Sequence, residues 1–383
     1  MGRVARGANG IVVVDKPAGI TSYDVVRKLK GLLSGLKIGY LGTLDPLATG
    51  VLPLLLGEGT KLAPFLEAGH KVYEAVLHLG VVTDTQDREG RVLQSVEVGG
   101  YDLSPQKIEE VIGRFRGRIM QLPPMYSALK QNGEPLYKLA RRGEEVERAL
   151  REVEIYELRV TEIDPPYLHL YIECSKGTYI RTMAHDIGRE LGCGAHLTAL
   201  RRTRSGPFSL DDALTLDDIE GLLKTGKLKK RMIPLAQAMA FLPAVEVEEA
   251  DALQISNGQV ITLADASHRS EEDAPQGGRK EVPQVPSVAQ QHPDNQFSIQ
   301  KRAGHFNKNM VVGMPHSGRG LKEAQVVRVV AREGGGLVAV GAIQHGTKGL
   351  VLRPLRVFHD AVFTKRPPYG RDRVHTMVDQ GGR

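Results

Sequence analysis

The sequence of 383 residues has no tryptophan and only two cysteines, Cys174 and Cys193. Neither cysteine belongs to a Cys-x-x-Cys pair, and two thiols cannot form a disulfide framework, so the composition favours a reducing compartment. No apolar run approaches the roughly 18 residues that a membrane-spanning helix requires. The N-terminus is basic but has no apolar core of the kind found in secretory signals. We therefore expect a cytoplasmic protein without a membrane span.

Metal-binding motifs are also lacking. The sequence contains no His-Glu-x-x-His motif and no cluster of cysteine and histidine, and the histidines at His185 and His196 are isolated. Isolated histidines are more often structural than metal ligands. We therefore expect no metal site.

The charge is mildly basic: 51 lysines and arginines exceed 45 aspartates and glutamates, which gives a net charge of +6 and a pI of about 9.1. This excess favours a polyanionic partner only modestly. The contents of 41% hydrophobic and 25% charged residues are typical of a globular protein, and the length suffices for two domains.

Strand and helix patterns alternate without a regular βαβ rhythm. Residues 11–14 form a β-branched run typical of a strand, and Ser22 is the predicted cap of the following helix. Ser104-Pro105 predicts another helix start, residues 151–175 predict an antiparallel strand pair, and residues 178–191 predict a helix. The predicted class is α+β with a large mixed or antiparallel sheet.

A change in composition divides the chain. Residues 266–321 are rich in Ser, Gln, Pro, Gly and charge, which predicts a disordered insertion. Apolar alternation on both sides of it predicts a small β domain over 243–358. The remaining predictions are a flexible N-terminus over 1–9, a first domain over 10–242 and a basic flexible tail over 359–383.

The most unusual segment is residues 39–50, with three glycines, one proline and a single carboxylate, Asp45. Leu44 and Leu47 flank the carboxylate with apolar side chains. An aspartate in such surroundings needs a cationic partner to stay ionised, and it is then a usable nucleophile. By local chemistry alone, a turn-capping role before Pro46 is the more common alternative.

The segment GTLDPLATGVLPLLLGEGTK, which contains Asp45, resembles the catalytic loop of the TruB family of tRNA pseudouridine-55 synthases. Further blocks with family resemblance lie in order along the chain, at residues 10–22, 71–73, 79–80, 83–87, 121–130, 174–182, 191–197 and 200–203. The resemblance implies the pseudouridine synthase fold. The weaker similarity after residue 243 resembles a PUA-type RNA-binding domain.

The resemblance implies a cofactor-free reaction on tRNA, in which a uridine of the T loop is flipped out and isomerised to pseudouridine. Asp45 corresponds to the nucleophile of the family, which attacks the base or the ribose. Arg181 corresponds to its arginine partner. Tyr73 corresponds to the tyrosine that stacks on the extruded base, with a further role in moving the C5 proton as an alternative.

Further binding residues follow from the same resemblance. Tyr179 and Leu200 correspond to pocket residues, Lys16 is expected to be structural or to contact RNA, and Arg202 is expected to bind substrate. The family sequence Gly-His-Thr-Gly is replaced here by Gly39-Tyr40-Leu41-Gly42. A tyrosine preserves stacking but not imidazole ionisation, so Tyr40 is predicted to be a substrate contact, with simple packing as the alternative.

The leading hypothesis is a stand-alone, monomeric tRNA-modifying enzyme. Two alternatives stay open at this stage: a pseudouridine synthase that depends on a guide RNA, and an RNA-binding protein or tRNA-folding chaperone. The presence of Asp45, Tyr73 and Arg181 together argues against a pure binding protein, because such a protein needs no acid paired with arginine.

Overall fold

The computed structural model describes residues 8–33, 35–263, 297–298, 311–312, 325–347 and 349–359. Most of the predicted insertion and tail, and most of the predicted N-terminal segment, lie outside the described residues. None of the helices in the described ranges is long and apolar enough to cross a membrane.

The first fourteen strands lie between residues 10 and 214. Their bounds are β1 Gly10–Lys16, β2 Ile38–Tyr40, β3 Thr49–Leu56, β4 Lys71–Leu79, β5 Val81–Thr83, β6 Val92–Ser95, β7 Gly117–Gln121, β8 Lys130–Gln131, β9 Glu134–Pro135, β10 Arg151–Asp164, β11 Tyr167–Cys174, β12 Ala195–Ser205, β13 Phe208–Ser209 and β14 Ala213–Leu214.

Ten of these described strands form one mixed sheet. Eight follow the order β14-β1-β3-β12-β4-β11-β10-β7, while β2 pairs with β3 and β13 pairs with β12. The β1–β14 and β3–β12 pairs are parallel, and the other pairs of this sheet are antiparallel. The predicted α+β class with a large mixed sheet is confirmed, as is the antiparallel strand pair predicted over 151–175.

The described helices have the bounds α1 Ser22–Leu32, α2 Ala63–Leu66, α3 Pro105–Gly113, α4 Leu136–Arg141, α5 Ile180–Leu191, α6 Leu216–Lys224, α7 Leu235–Ala238 and α8 Glu249–Ser256. Helix α3 begins at the predicted proline. Helix α5 begins two residues later than predicted, and it ends at Gly192, whose φ of 86° is a left-handed conformation that suits glycine.

The predicted cap of α1 was wrong by one residue. Thr21 is the N-cap: its hydroxyl accepts the Asp24 N–H, and the Asp24 carboxylate accepts the Thr21 N–H in return. Ser22 is instead buried within the first turn, and its hydroxyl bonds to the main chain of Leu44. The correction places Ser22 next to the segment that carries Asp45.

The remaining strands belong to the C-terminal part of the chain. Their bounds are β15 Ala244–Val247, β16 Ile261–Thr262, β17 Phe297–Ser298, β18 Val311–Val312, β19 Val326–Ala331, β20 Leu337–Gly346 and β21 Gly349–Val357. A second sheet has the order β15-β19-β20-β21-β16. It begins one residue after the predicted start of the C-terminal domain at 243.

Both faces of β1 are buried, which explains its uninterrupted apolar run. Val12 and Val14 belong to a core cluster that includes side chains of α1, α3 and α5. Ile11 and Val13 belong to a second cluster, which we call the shared cluster because both sheets contribute to it. From the second sheet, the shared cluster includes Val326, Leu337, Val340 and the following residue Phe358. The two sheets are therefore joined by apolar packing.

Thr21→Ala should lower the free energy of unfolding by about 1 kcal/mol, because the first turn of α1 loses a side-chain acceptor. Urea unfolding monitored by circular dichroism measures this difference. An unchanged unfolding midpoint would contradict the assignment of Thr21 as the cap.

Candidate active site

The central feature of the site is an ion pair between Asp45 and Arg181. Nε of Arg181 lies 2.8 Å from Oδ2 of Asp45. The arginine comes from the first turn of α5, whereas the aspartate lies in the segment between β2 and β3. The Arg181 side chain is only 5% exposed and the Asp45 side chain is 35% exposed. The carboxylate is thus held from inside the protein and remains accessible from solvent.

The Arg181 guanidinium is held on its other edges by main-chain oxygens. Nη1 donates to the carbonyl of Thr85 at 3.0 Å, and Nη2 donates to the carbonyl of Tyr126 at 2.8 Å. Asp87 provides a second carboxylate, 3.7 Å from Nη1. Because a guanidinium is planar and its donors have fixed directions, these contacts set the orientation of Nε toward Asp45.

The main chain on both sides of Asp45 is also anchored. The Ser22 hydroxyl accepts the Leu44 N–H at 2.8 Å and donates to the Leu44 carbonyl at 3.0 Å. The Pro46 carbonyl accepts the Gly19 N–H at 2.9 Å and Nζ of Lys16 at 3.3 Å. These bonds fix the residue before and the residue after the carboxylate.

Lys16 is fully buried, and its ammonium also donates to the carbonyls of Pro17 and Ile20. Burial lowers the pKa of Lys16 to about 8, and the negative charge of Asp45 opposes this shift. Of the two roles expected for Lys16, the structure supports the structural one, because a side chain with no exposed surface does not reach an RNA phosphate.

The two tyrosines predicted for the site lie on β4 and at the start of α5. Tyr73 lies on β4 and is 8% exposed, and Tyr179 immediately precedes α5 and is half-buried. Burial raises the pKa of both phenols, so both are protonated at neutral pH. The charge of Asp45 raises the pKa of both phenols further.

Gln121 was missed as a functional residue, although the motif that contains it was recognised. Its side chain is 3% exposed and makes two hydrogen bonds to the main chain of Tyr179. Nε2 donates to the Tyr179 carbonyl at 3.0 Å, and Oε1 accepts the Tyr179 N–H at 2.8 Å. Gln121 therefore fixes the residue from which α5 and Arg181 start. A glutamine at a strand end carries no sequence signal for this contact.

A cleft of about 460 Å³ opens beside the segment that carries Asp45. Leu47 and Thr49 line it from that segment, and Leu200 lines it from β12. Thr49 Oγ1 donates to the Leu200 carbonyl at 3.4 Å. The volume lies within the range of about 300–1,000 Å³ that is usual for ligand pockets.

Tyr40 and Leu41 replace the family's histidine and threonine. Tyr40 is half-buried at the end of β2, where it packs against the larger core cluster. Leu41 is 4% exposed and belongs to the shared cluster, which explains an apolar residue at this position. A substrate contact by Tyr40 stays a prediction.

Arg202, which the resemblance implies to be a substrate-binding residue, lies in the interior of the protein. The Arg202 side chain is among the largest fully buried ones, at 1% exposure, and its guanidinium donates to main-chain carbonyls of Gly42 and Val51. A substrate contact by Arg202 stays a prediction. Arg202 belongs to the support of the site rather than to its surface.

Among the residues that the structure describes, neither His185 nor His196 lies in a group of side chains that could bind a metal ion. The His196 side chain is buried, with Nδ1 3.0 Å from the Val81 carbonyl, and burial lowers the pKa of His185. Across the described ranges, no three His, Cys, Asp or Glu side chains lie close enough to share a metal ion.

Comparison with known proteins agrees with this geometry. Residues 30–180 match the TruB family pseudouridylate synthase N-terminal domain, and residues 181–240 match the tRNA pseudouridylate synthase B C-terminal domain. The chain is 47% identical over 272 residues to tRNA pseudouridine synthase B of Geobacter sulfurreducens, which covers 71% of this chain and 88% of that protein. The corresponding protein of Pseudomonas aeruginosa is 45% identical over 269 residues, covering 69% and 87%.

Solved structures with a similar fold include a chain of a Cbf5-Nop10-Gar1 complex, with a TM-score of 0.58 and 25% identity. Another belongs to an H/ACA RNP bound to a substrate RNA containing 2′-deoxyuridine, with a TM-score of 0.58 and 24% identity. Each similarity covers 91% of this chain and 84% of the other chain.

Gln121→Ala should lower the free energy of unfolding by about 1–3 kcal/mol, because it leaves the Tyr179 N–H unpaired and removes one of the two donors to the Tyr179 carbonyl, which keeps the Met183 N–H. Turnover should fall as well, since the first turn of α5 carries Arg181. The matched control is Gln94→Ala on an exposed strand, which should stay within about 0.5 kcal/mol of the wild type. Equal stability and turnover in both variants would rule out the positioning role of Gln121.

Proposed function

The chain belongs to the TruB family and is a tRNA pseudouridine synthase, and we propose that it modifies the uridine at position 55 in the T loop with Asp45 as nucleophile. The observation that carries this proposal is the Asp45–Arg181 ion pair, in which a buried guanidinium holds a partly exposed carboxylate at 2.8 Å. The guanidinium fixes the direction of the carboxylate, and a carboxylate anion is the form that attacks.

The isomerisation breaks the N1–C1′ bond of uridine and forms a C5–C1′ bond. Overall, one proton leaves C5 and one is gained at N1, so the atoms of the nucleotide are conserved and no oxidant or reductant is consumed. We therefore assign no cofactor to the reaction. Attack by Asp45 at the base and attack at the ribose are both compatible with the exposed carboxylate.

The target nucleotide must leave the base stack before its ring can meet Asp45, which costs a few kcal/mol. We assign the cleft beside Leu47 and Leu200 to the RNA strand next to the extruded nucleotide, because the cleft adjoins the segment that carries Asp45 and is also lined by Arg88 and Arg201, whereas Asp45 and Tyr73 do not line it. Tyr73 supplies an aromatic ring for stacking, a contact that contributes roughly 1–3 kcal/mol per base. Burial raises the pKa of Tyr73, which favours stacking by the neutral phenol over proton abstraction by a phenolate.

We further propose that the protein acts as a monomer in the cytoplasm and binds the T stem and loop without a guide RNA. Both thiols, Cys174 and Cys193, are buried and unpaired, which suits a reducing compartment. The contacts of Arg181 and Asp45 come from one chain, so one copy contains the assembled ion pair.

The first test is incubation of the purified protein with unmodified tRNA alone, followed by carbodiimide treatment and primer extension. The expected result is a single new stop at the T-loop uridine. Asp45→Asn should reduce turnover by about 10³-fold or more while the Kd for tRNA stays within about twofold, because the nucleophile is lost and the binding surface is retained. Asp102→Asn, an exposed aspartate far along the chain, is the control and should keep full turnover.

Several outcomes of this test would contradict the proposal. Modification by Asp45→Asn would exclude Asp45 as the nucleophile. Binding without any modification by the wild type would favour a tRNA chaperone, and modification only after a guide RNA is added would favour the guide-dependent alternative.

We also propose that the second sheet adds to the affinity for tRNA. It is joined to the first sheet through the shared cluster, so deletion of residues 243–383 would expose Ile11 and Val13 and is an unsuitable test. A point substitution avoids this problem. Arg353 is exposed on β21 and offers a cation to a phosphate.

Arg353→Ala should raise the Kd for tRNA and reduce the slope of log Kd against log salt concentration by about one, as expected for the loss of one phosphate contact. Arg118→Ala is the control, because Arg118 is also highly exposed but lies on the first sheet at β7. Identical salt slopes for the two variants and the wild type would count against RNA binding by the second sheet.

A further inference from the structure

We propose that Arg202 is the positioning residue of the catalytic loop, defined as residues 41–51: its buried guanidinium sets the loop conformation that directs Asp45 toward the substrate. The proposal rests on the function proposed above. It assigns Arg202 no contact with RNA and no part in the chemical step.

The hydrogen bonds of Arg202 reach both ends of the catalytic loop. Nε donates to the Val51 carbonyl at 2.8 Å, and Nη2 donates to the carbonyls of Gly42 at 2.9 Å and Leu41 at 3.4 Å. Asp45 lies between these attachment points in the chain. One rigid fork of donors thus joins the residues that enter the loop to the residue that leaves it.

Two glycines of the loop lie where the chain approaches Arg202. Gly42 has a φ of 63°, and a Cβ there would lie 3.0 Å from Nη1 of Arg202. Gly50 has a φ of 97°, and a Cβ there would lie 2.2 Å from the Arg202 carbonyl oxygen. One glycine therefore admits the guanidinium and the other admits the main chain of the same residue. The spacing of glycines around Asp45 fits a loop that closes on Arg202.

The acceptors of Arg202 indicate why a cation is retained in the interior. These acceptors are loop carbonyls rather than carboxylates, and Arg202 also makes a side-chain hydrogen bond with Tyr73. Burial of a charge is costly, and carbonyl dipoles offset only part of that cost, so stability alone is a poor reason for a buried arginine. The buried arginine is explained by its guanidinium, which donates to several loop carbonyls at once. An apolar side chain of the same size would leave those carbonyls without this donor.

Apolar packing holds the side chains of Leu41 and Val51, the first and last residues of the catalytic loop. Leu41 and Val51 are 4% and 0% exposed, and both belong to the shared cluster. The carbonyls of these residues point to Arg202 while their side chains pack between the sheets. Each end of the catalytic loop is therefore fixed by one polar and one apolar contact.

The variants Arg202→Lys and Arg202→Met test the proposal. A lysine keeps the charge but lacks the fork, and a methionine keeps much of the volume but no donor. Arg116→Met is the matched control, because Arg116 also donates Nε to a main-chain carbonyl, that of Leu158, away from the loop. The measurements are the single-turnover rate at saturating tRNA, the Kd for tRNA, and amide hydrogen exchange of residues 41–51.

We expect the single-turnover rate of Arg202→Lys to fall roughly 10²-fold, which is the loss that a displacement of a reacting group by about 1 Å produces. The rate of Arg202→Met should fall further. The Kd should stay within about twofold, since the side chain is 1% exposed. Amide exchange should accelerate in residues 41–51 but not in α5. Arg116→Met should keep the wild-type rate and the wild-type exchange of the loop.

A wild-type rate and wild-type loop exchange in Arg202→Lys would overturn the proposal, as would an increased Kd with an unchanged rate, which would make Arg202 a substrate-binding residue. If Arg202→Met does not fold, the lysine variant still decides the question. If the wild type has no activity on tRNA, the proposed function fails, yet hydrogen exchange still reports whether Arg202 orders the loop.

Discussion

The ion pair between Asp45 and Arg181 is the interaction on which the arrangement of the site depends. In the proposed reaction, Asp45 must be both anionic and accessible to the nucleotide, so its carboxylate cannot be fully buried and must still be held in place. The protein meets both demands by burying only the cation: Arg181 is 5% exposed while Asp45 is 35% exposed. Contacts from Thr85 and Tyr126 then fix the guanidinium before any substrate arrives. Preorganisation of this kind avoids reorganisation during the reaction.

Three elements hold the main chain of the catalytic loop, which carries Asp45. Helix α1 contributes Ser22, the end of β1 contributes Lys16, and β12 contributes Arg202, and each binds the main chain of the catalytic loop. Gln121 has the same function for α5 through the main chain of Tyr179. Main-chain contacts fix the position of a loop independently of its side chains, so these three residues do not occupy the Asp45 carboxylate, which pairs with Arg181.

The shared cluster extends this support to the second sheet. Leu41 and Val51, at the ends of the catalytic loop, pack in the same cluster as Val326 and Phe358. The second sheet thus contributes to the apolar packing that supports both ends of the loop. This contribution is separate from the RNA binding proposed for that sheet. The substitution of leucine at position 41 for the family's threonine fits this apolar environment, whereas Tyr40 packs toward the other core cluster.

Local patterns in the sequence determined much of the fold: the alternation over 151–175, the apolar stripe of α5 and the Ser104-Pro105 start of α3 depend on neighbours within a few residues. The motifs likewise indicated Asp45, Arg181 and the family. Tertiary structure decided which polar side chains face inward. Arg201 and Arg202 are adjacent and chemically identical, yet Arg201 pairs with Asp15 while Arg202 is buried against the loop. Successive residues of a strand point to opposite faces, and only the packing of other elements decides which face is buried.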